Sequence, residues 1–166
     1  MLELRTLDAD DWPLWRELRQ AALAEAPSAF GSTLAEWQGA GDVEARWRAR
    51  LEIPGGFNVV AVVDGRPAGM VSGVPDEEAD DGVELISMWV GPAARGRGVG
   101  DALMQAVERW AGKQGARHMR LSVMPDNARA AALYERHGYR DTGVPGDPLP
   151  DGRGHERVMV KDLTSR

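Results

Sequence analysis

At 166 residues, 43% hydrophobic and 28% charged, the chain has the size and composition of one globular domain, expected over residues 1–166, with a core to bury. No apolar run approaches ~18 residues and the mixed acidic residues 1–10 do not suit a signal peptide, so no membrane span is expected and the expected location is cytoplasmic. Cysteine is absent, which removes disulfides and cysteine nucleophiles, and a net charge of −6 argues against a nucleic-acid partner.

Leu2, Leu4 and Leu7 give the spacing of a first strand. Asp8, Asp10 and Asp11 offer N-caps and Pro13 suits a first turn, so a helix follows. Its apolar face is Trp12, Trp15, Leu18, Ala22 and Leu23, and Pro27 ends it. Asp42 is expected to cap a second helix through Val43, Trp47 and Leu51, stopped by Pro54, Gly55 and Gly56. Residues 57–63, rich in β-branched side chains, read as a strand, Asp64-Gly65 as a hairpin turn, and residues 67–74 as the returning strand. An acidic loop over 76–81 precedes another strand at 83–90. A glycine- and arginine-rich turn over 91–100 then opens a helix whose Val99, Leu103, Val107 and Trp110 share one face. Residues 119–124 read as a strand stopped by Pro125. Asp126 or Asn127 caps an alanine-rich helix that ends at His137-Gly138. Residues 139–144 and 157–160 read as two last strands around a Pro/Gly/Asp-rich loop, 145–154. The order βααβββαβαββ specifies an α/β fold: a mixed sheet of about six to seven strands, flanked by about four helices, with one parallel crossover.

His118, His137 and His155 lie far apart, and Met159 stands where an HExxH pattern would need its second histidine, so no metal is expected. The stronger signal is Arg95-Gly96-Arg97-Gly98-Val99-Gly100, between a strand and a helix. Bare glycines let backbone approach an anion, and the unpaired N–H groups of a helix start point at it. The plainer alternative is a tight turn with solvated arginines. A GxGxxG fingerprint fails because Asp101 stands at the last glycine, and no Gly-Lys-Ser/Thr follows for a P-loop.

Arg95, Gly98 and Gly100 match the pattern R/Q-x-x-G-x-G/A, and here the chain resembles the GNAT superfamily of acyl-CoA-dependent N-acetyltransferases. Two further blocks carry the resemblance. Residues 84–92 are similar to the family's central strand and following proline, and Asn127 through Tyr139 is similar to its N-x-x-A-x-x-L-Y-x-x-x-G-F/Y segment. Residues 26–33 also resemble segments of small bacterial members.

The resemblance implies acetyl-CoA as co-substrate, its pyrophosphate held by Gly96, Arg97, Gly98, Val99, Gly100 and Asp101, with Arg95 adding charge. Asp101 departs from comfort there, since it places a carboxylate near the phosphates. It also suits a helix N-terminus on its own account. The family fold splays two neighbouring strands, here 83–90 and 119–124, and the pantetheine arm lies between them on backbone groups of Met88 and Val90. The Met88 N–H would face the thioester carbonyl. Asn127 caps its helix and is a candidate cofactor contact. Tyr134 matches the tyrosine that protonates the departing sulfur, and Glu84 stands where several members keep a general base. The plain alternatives are a packed helical tyrosine and an exposed strand-end glutamate.

The function implied is acetyl transfer to a primary amine of a small molecule or peptide by direct attack in a ternary complex. With no cysteine there is no acyl-cysteine route. The alternative of another class is an acyl-CoA-sensing module without turnover. Acceptor specificity is expected in residues 26–50 and 143–155. Six tryptophans, four of them before residue 50, are more than one helix face buries, which points to a subunit contact in a homodimer, the rival reading being that they line the acceptor pocket or complete the core.

Overall fold

The structure, a computed structural model, describes residues 1–26, 34–149 and 151–163. Seven strands form one sheet: β1 (Leu2–Thr6), β2 (Phe57–Val63), β3 (Arg66–Pro75), β4 (Gly82–Val90), β5 (His118–Val123), β6 (Arg140–Pro148) and β7 (His155–Asp162). Four α-helices accompany them: α1 (Trp12–Glu25), α2 (Glu44–Leu51), α3 (Val99–Lys113) and α4 (Ala128–Arg136). The strand order is β1-β2-β3-β4-β5-β7-β6, with β4 and β5 the one parallel pair and all other neighbours antiparallel. Among the described residues, no helix is long and apolar enough to cross a membrane.

β2 shows why the sheet is covered on both faces. Val59 and Ala61 belong to a core cluster with Leu103, Val107 and Tyr134, whereas the alternate residues Val60 and Val62 belong to a second cluster with Trp15, Leu18 and Trp47. Successive side chains of a strand point to opposite faces, so α3 and α4 lie on one side and α1 and α2 on the other. A strand buried on both faces reads as the unbroken apolar run seen at 57–63.

Two local expectations are corrected. Asp42 does not cap α2, whose N-cap is Val43 without a side-chain bond. Its carboxylate instead accepts from Arg16 Nε at 2.7 Å and Trp47 Nε1 at 2.8 Å, which ties α2 to α1. The expected loop at 145–154 is shorter, because β6 runs on to Pro148. Its pairing with β7 is interrupted between Asp141 and Pro145 and again before Pro148, and an edge strand tolerates prolines because one side of it needs no donor. The tryptophans are taken up internally. Trp15 and Trp47 are fully buried, Trp12, Trp37 and Trp89 pack against their cluster, and Trp110 stacks on Phe57 at 5.1 Å. Trp15 and Trp47 thus complete the core, while Trp12, Trp37, Trp89 and Trp110 stay half-buried and Trp89 lines a cleft. Residues 27–33, which include the expected helix stop and most of the 26–33 resemblance, lie outside the described residues.

Candidate active site

The β4–β5 pairing runs from Gly82↔His118 to Leu85↔Leu121 and stops there, although β4 continues to Val90 and β5 to Val123. The cause lies in β4 itself. On the β3 side, Trp89 pairs with Met70 and Ile86 with Ser72, so Ser87 and Met88 stand opposite the single residue Val71. Such a bulge bends the strand and re-aims its side chains. Ser87 has φ +57°, a left-handed conformation that costs a non-glycine residue roughly 1–2 kcal/mol.

Below the gap, the chain leaves β4 through Gly91 and a 3₁₀ turn at Pro92–Ala94, then enters α3. Gly98 is the N-cap of α3 at φ +79°, and Gly96 has the same φ. The first intrahelical bond is Ala102 N–H to Gly98 O, so the N–H groups of Val99, Gly100 and Asp101 have no partner within the helix. A Cβ on Gly96 or Gly98 would meet nothing within 4 Å, whereas one on Gly100 would stand 3.3 Å from Leu133 and 3.6 Å from Met88. Two glycines thus set the turn, and the third lets α3 approach α4 and β4.

Gap and turn open into one cleft of about 730 Å³. Met88, Val90, Arg95, Gly96, Gly98, Val99, Gly100, Asp101, Asn127 and Tyr134 all line it, as do Glu25, Ser122 and Leu133, none of them among the expected site residues. Its elongated lining, from a helix N-terminus to two unpaired strand edges, fits a ligand with an anionic head and an extended arm.

Two cationic side chains of the turn are placed differently from expectation. Arg95 bonds through Nε to Val90 O at 3.0 Å and pairs with Glu25 of α1, so it braces the turn. Arg97 is not among the cleft-lining residues, and its charge bears on Asp64 in the β2–β3 turn. Asp101 is accounted for: it accepts from Arg136 Nη2 at 2.8 Å and pairs with His137 Nε2 at 2.7 Å. The Arg136 hydrogen bond, then that of His137, hold its carboxyl below the usual range. Its charge is spent on fastening α3 to the end of α4.

Asn127 accepts from Ala130 N–H at 3.3 Å, which settles the cap of α4 between the two candidates. Tyr134, one face of α4 later, is 5% exposed, and its ring lies 6.1 Å from that of Tyr139. Burial pushes its hydroxyl well above a phenol's ordinary value, so it is a proton donor in any neutral solution.

Glu84 is not among the cleft-lining residues. It stands on β4 beside Arg120 of β5, whose Nη2 is 3.4 Å from Glu84 Oε1. Burial raises the Glu84 carboxyl. The charge of Arg120 opposes that rise, and Asp76, Asp147 and Glu78 add to it. Arg120 directs its Nε, at 3.1 Å, and its Nη2, at 3.0 Å, to Asp76. Asp76 is 1% exposed and also faces His118. Nothing in the local sequence marks Asp76 or Arg120. The one available signal is a basic residue alternating with apolar Met119 and Leu121.

On the α1–α2 side of the bulge lies a second unannounced group, Arg50. Its guanidinium bonds to Asn58 Oδ1 at 3.2 Å, Ser72 Oγ at 3.1 Å and Ser87 Oγ at 3.0 Å, and sits over the Trp15 ring at 4.9 Å. Burial, and secondarily the charge of Arg19, pull its pKa down to about 10, so it stays cationic.

Residues 11–139 match the acetyltransferase (GNAT) family. An uncharacterized N-acetyltransferase of Mycobacterium tuberculosis is 29% identical over 145 residues, which covers 87% of this chain and 92% of that protein. An L-2,4-diaminobutyric acid acetyltransferase of Nocardia farcinica is 37% identical over 79 residues, covering 48% of this chain and 41% of that enzyme. The chain spans about half the length of the curated relatives it matches first. A putative acetyltransferase from Salmonella typhimurium, solved with its cofactor acetyl-CoA, is similar in fold, with a TM-score of 0.78 at 22% identity over 100% of this chain and 96% of that one.

Proposed function

This chain belongs to the acetyltransferase (GNAT) family, and from that premise we propose that it transfers an acetyl group from acetyl-CoA to a primary amine of a small molecule or peptide. The observation that carries the reading is the stop in β4–β5 pairing at Leu85↔Leu121, beside a left-handed glycine N-cap, in the cleft that Tyr134 lines. The diphosphate belongs on the amides from Gly96 to Asp101, and the extended arm belongs along Met88 and Val90. Acetyl-CoA supplies the activated acyl group as a thioester. The Met88 N–H donates to the carbonyl oxygen as charge develops on it.

The amine must first lose a proton, which Glu84 accepts directly or through water. Its nitrogen then bonds to the acyl carbon as the carbon–sulfur bond breaks, Tyr134 gives its proton to the departing sulfur, and the phenol regains one from the newly bonded nitrogen. Transfer is direct, within one ternary complex. The Nocardia relative is named for an amino-acid acceptor, which supports a small amine as the first class to try.

The test is thiol release from acetyl-CoA against diaminobutyrate, spermidine and an alanine-initiated peptide, with calorimetry of CoA alone. Saturable release with any of them is expected. CoA binding without release across such amines would make the chain an acyl-CoA-sensing module.

A further inference from the structure

The bulge that carries Met88 needs an external hold. Ser87 adopts φ +57°, which a serine does not keep by local preference, and glycine would occupy the position at no cost. Arg50 makes the compensating contact. From the last turn of α2 it reaches β2 through Asn58, β3 through Ser72 and β4 through Ser87. The network closes on itself, with Ser72 Oγ donating to Asn58 Oδ1 at 2.6 Å and Asn58 Nδ2 to Leu51 O at 3.3 Å. Asn58 and Ser72 are buried, and Arg50 makes no ion pair among the described residues. A buried cation with neutral partners does not gain its place from charge pairing. A planar fork that fixes the relative position of three strands at the bulge does explain it.

We infer that Arg50 is a positioning residue that holds Ser87 in its left-handed conformation and thereby aims the Met88 N–H. The inference rests on the reading of Met88 as a donor to the thioester carbonyl. Arg50 belongs to α2, whereas the cofactor-holding turn opens α3, which packs on the opposite face of the sheet, so its loss acts on turnover more than on cofactor affinity.

The experiment pairs R50M with R50M/S87G. In R50M, kcat for the amine that turns over falls by about tenfold or more, with the KM for acetyl-CoA unchanged. Glycine takes the left-handed conformation unaided, so R50M/S87G recovers kcat to within about threefold while its melting temperature stays as low as that of R50M. A structural role alone would make kcat follow the melting temperature. Full kcat in R50M, or no recovery in the double variant, overturns the inference. Raised acceptor KM without recovery would instead make Arg50 an acceptor contact. Should R50M fail to fold, R50K keeps the charge with one donor point in place of the fork and is expected to lose kcat in the same sense.

Failure of the acetyl-transfer reading is separately visible as no thiol release by the wild-type chain. The Met88 amide resonance then tests Arg50 on its own. It should move between CoA and acetyl-CoA in the wild type and in R50M/S87G, and not in R50M. Absence of that shift in the wild type, or its persistence in R50M, overturns the inference.

Discussion

Arg120 lies opposite Glu84 in the parallel register of β4 and β5, yet it reaches Glu84 only at 3.4 Å while it holds Asp76 at 3.0 Å. Glu84 is thus left with a weak share of the one guanidinium beside it, among carboxylates that favour its protonation. A half-buried carboxylate in that position keeps a basicity above the ordinary one near pH 4.3.

That arrangement predicts an acid limb in kcat/KM above the usual carboxylate range. Glu84→Gln should remove the limb and lower the neutral rate by roughly 10²-fold. The deficit should shrink at high pH, where the amine arrives already deprotonated. A deficit of equal size from pH 6 to pH 10 would remove Glu84 from proton transfer.

Tyr134→Phe deletes one hydroxyl and keeps the ring that packs beside Tyr139. Turnover should drop about 10²-fold with CoA affinity and melting temperature nearly unchanged. Because burial holds the wild-type phenol protonated, no alkaline limb below about pH 10 should belong to it. Wild-type rates in the variant would leave Tyr134 as packing alone.

Gly98→Val forces a β-branched residue into φ +79° at the N-cap of α3, where no neighbour blocks the side chain. The strain falls on the amides proposed to hold the diphosphate, so CoA should bind about tenfold more weakly or worse. Calorimetry against the wild type reads this directly. Unchanged affinity would move the anion site away from the turn.

Asp76→Asn addresses stability. Burial alone would raise the Asp76 carboxyl, and the bonds from Arg120, the Glu78 N–H and His118 together with the charge of Arg120 more than reverse it. A carboxyl held low in the folded state stabilises fully above its unfolded value near 3.9, and that contribution is lost as pH falls through the lower folded value. Removal of the charge leaves Arg120 with Glu84 at 3.4 Å and Glu78 at 3.8 Å, so the cost should be about 3 kcal/mol at pH 7. Urea unfolding should show the gap at pH 7 and its closure only below about pH 4. A gap that persists there would mean the loss is one of shape.

The parts of the site legible in the sequence are those that local backbone chemistry dictates. Gly98 must be glycine to hold φ +79°, and Asn127 announces a helix start whatever surrounds it. The succession of elements along the chain also follows from patterning, since alternation and turn residues are local. Side chains that act across the sheet leave no such trace. Arg50 reads as one more arginine in the last turn of a helix, and only the packing of α2 on the sheet brings it to Ser87. Arg120 meets Glu84 through strand register, which a single chain of letters does not contain. Asp42 shows the converse: a good capping residue in the expected place, recruited instead by the nearby Arg16 and Trp47.

Among the described residues, strand pairing joins the sheet's halves through the four residue pairs from Gly82↔His118 to Leu85↔Leu121. One ribbon is β1 to β4, the other β5, β7 and β6, and beyond that short seam each presents an interior border of backbone groups to the other. On the proposed reading, an extended ligand seated there works as an eighth strand and mends the seam. The resilience of the whole domain then follows the supply of that ligand, with about 2.7 kcal/mol added when its concentration is a hundredfold above the dissociation constant.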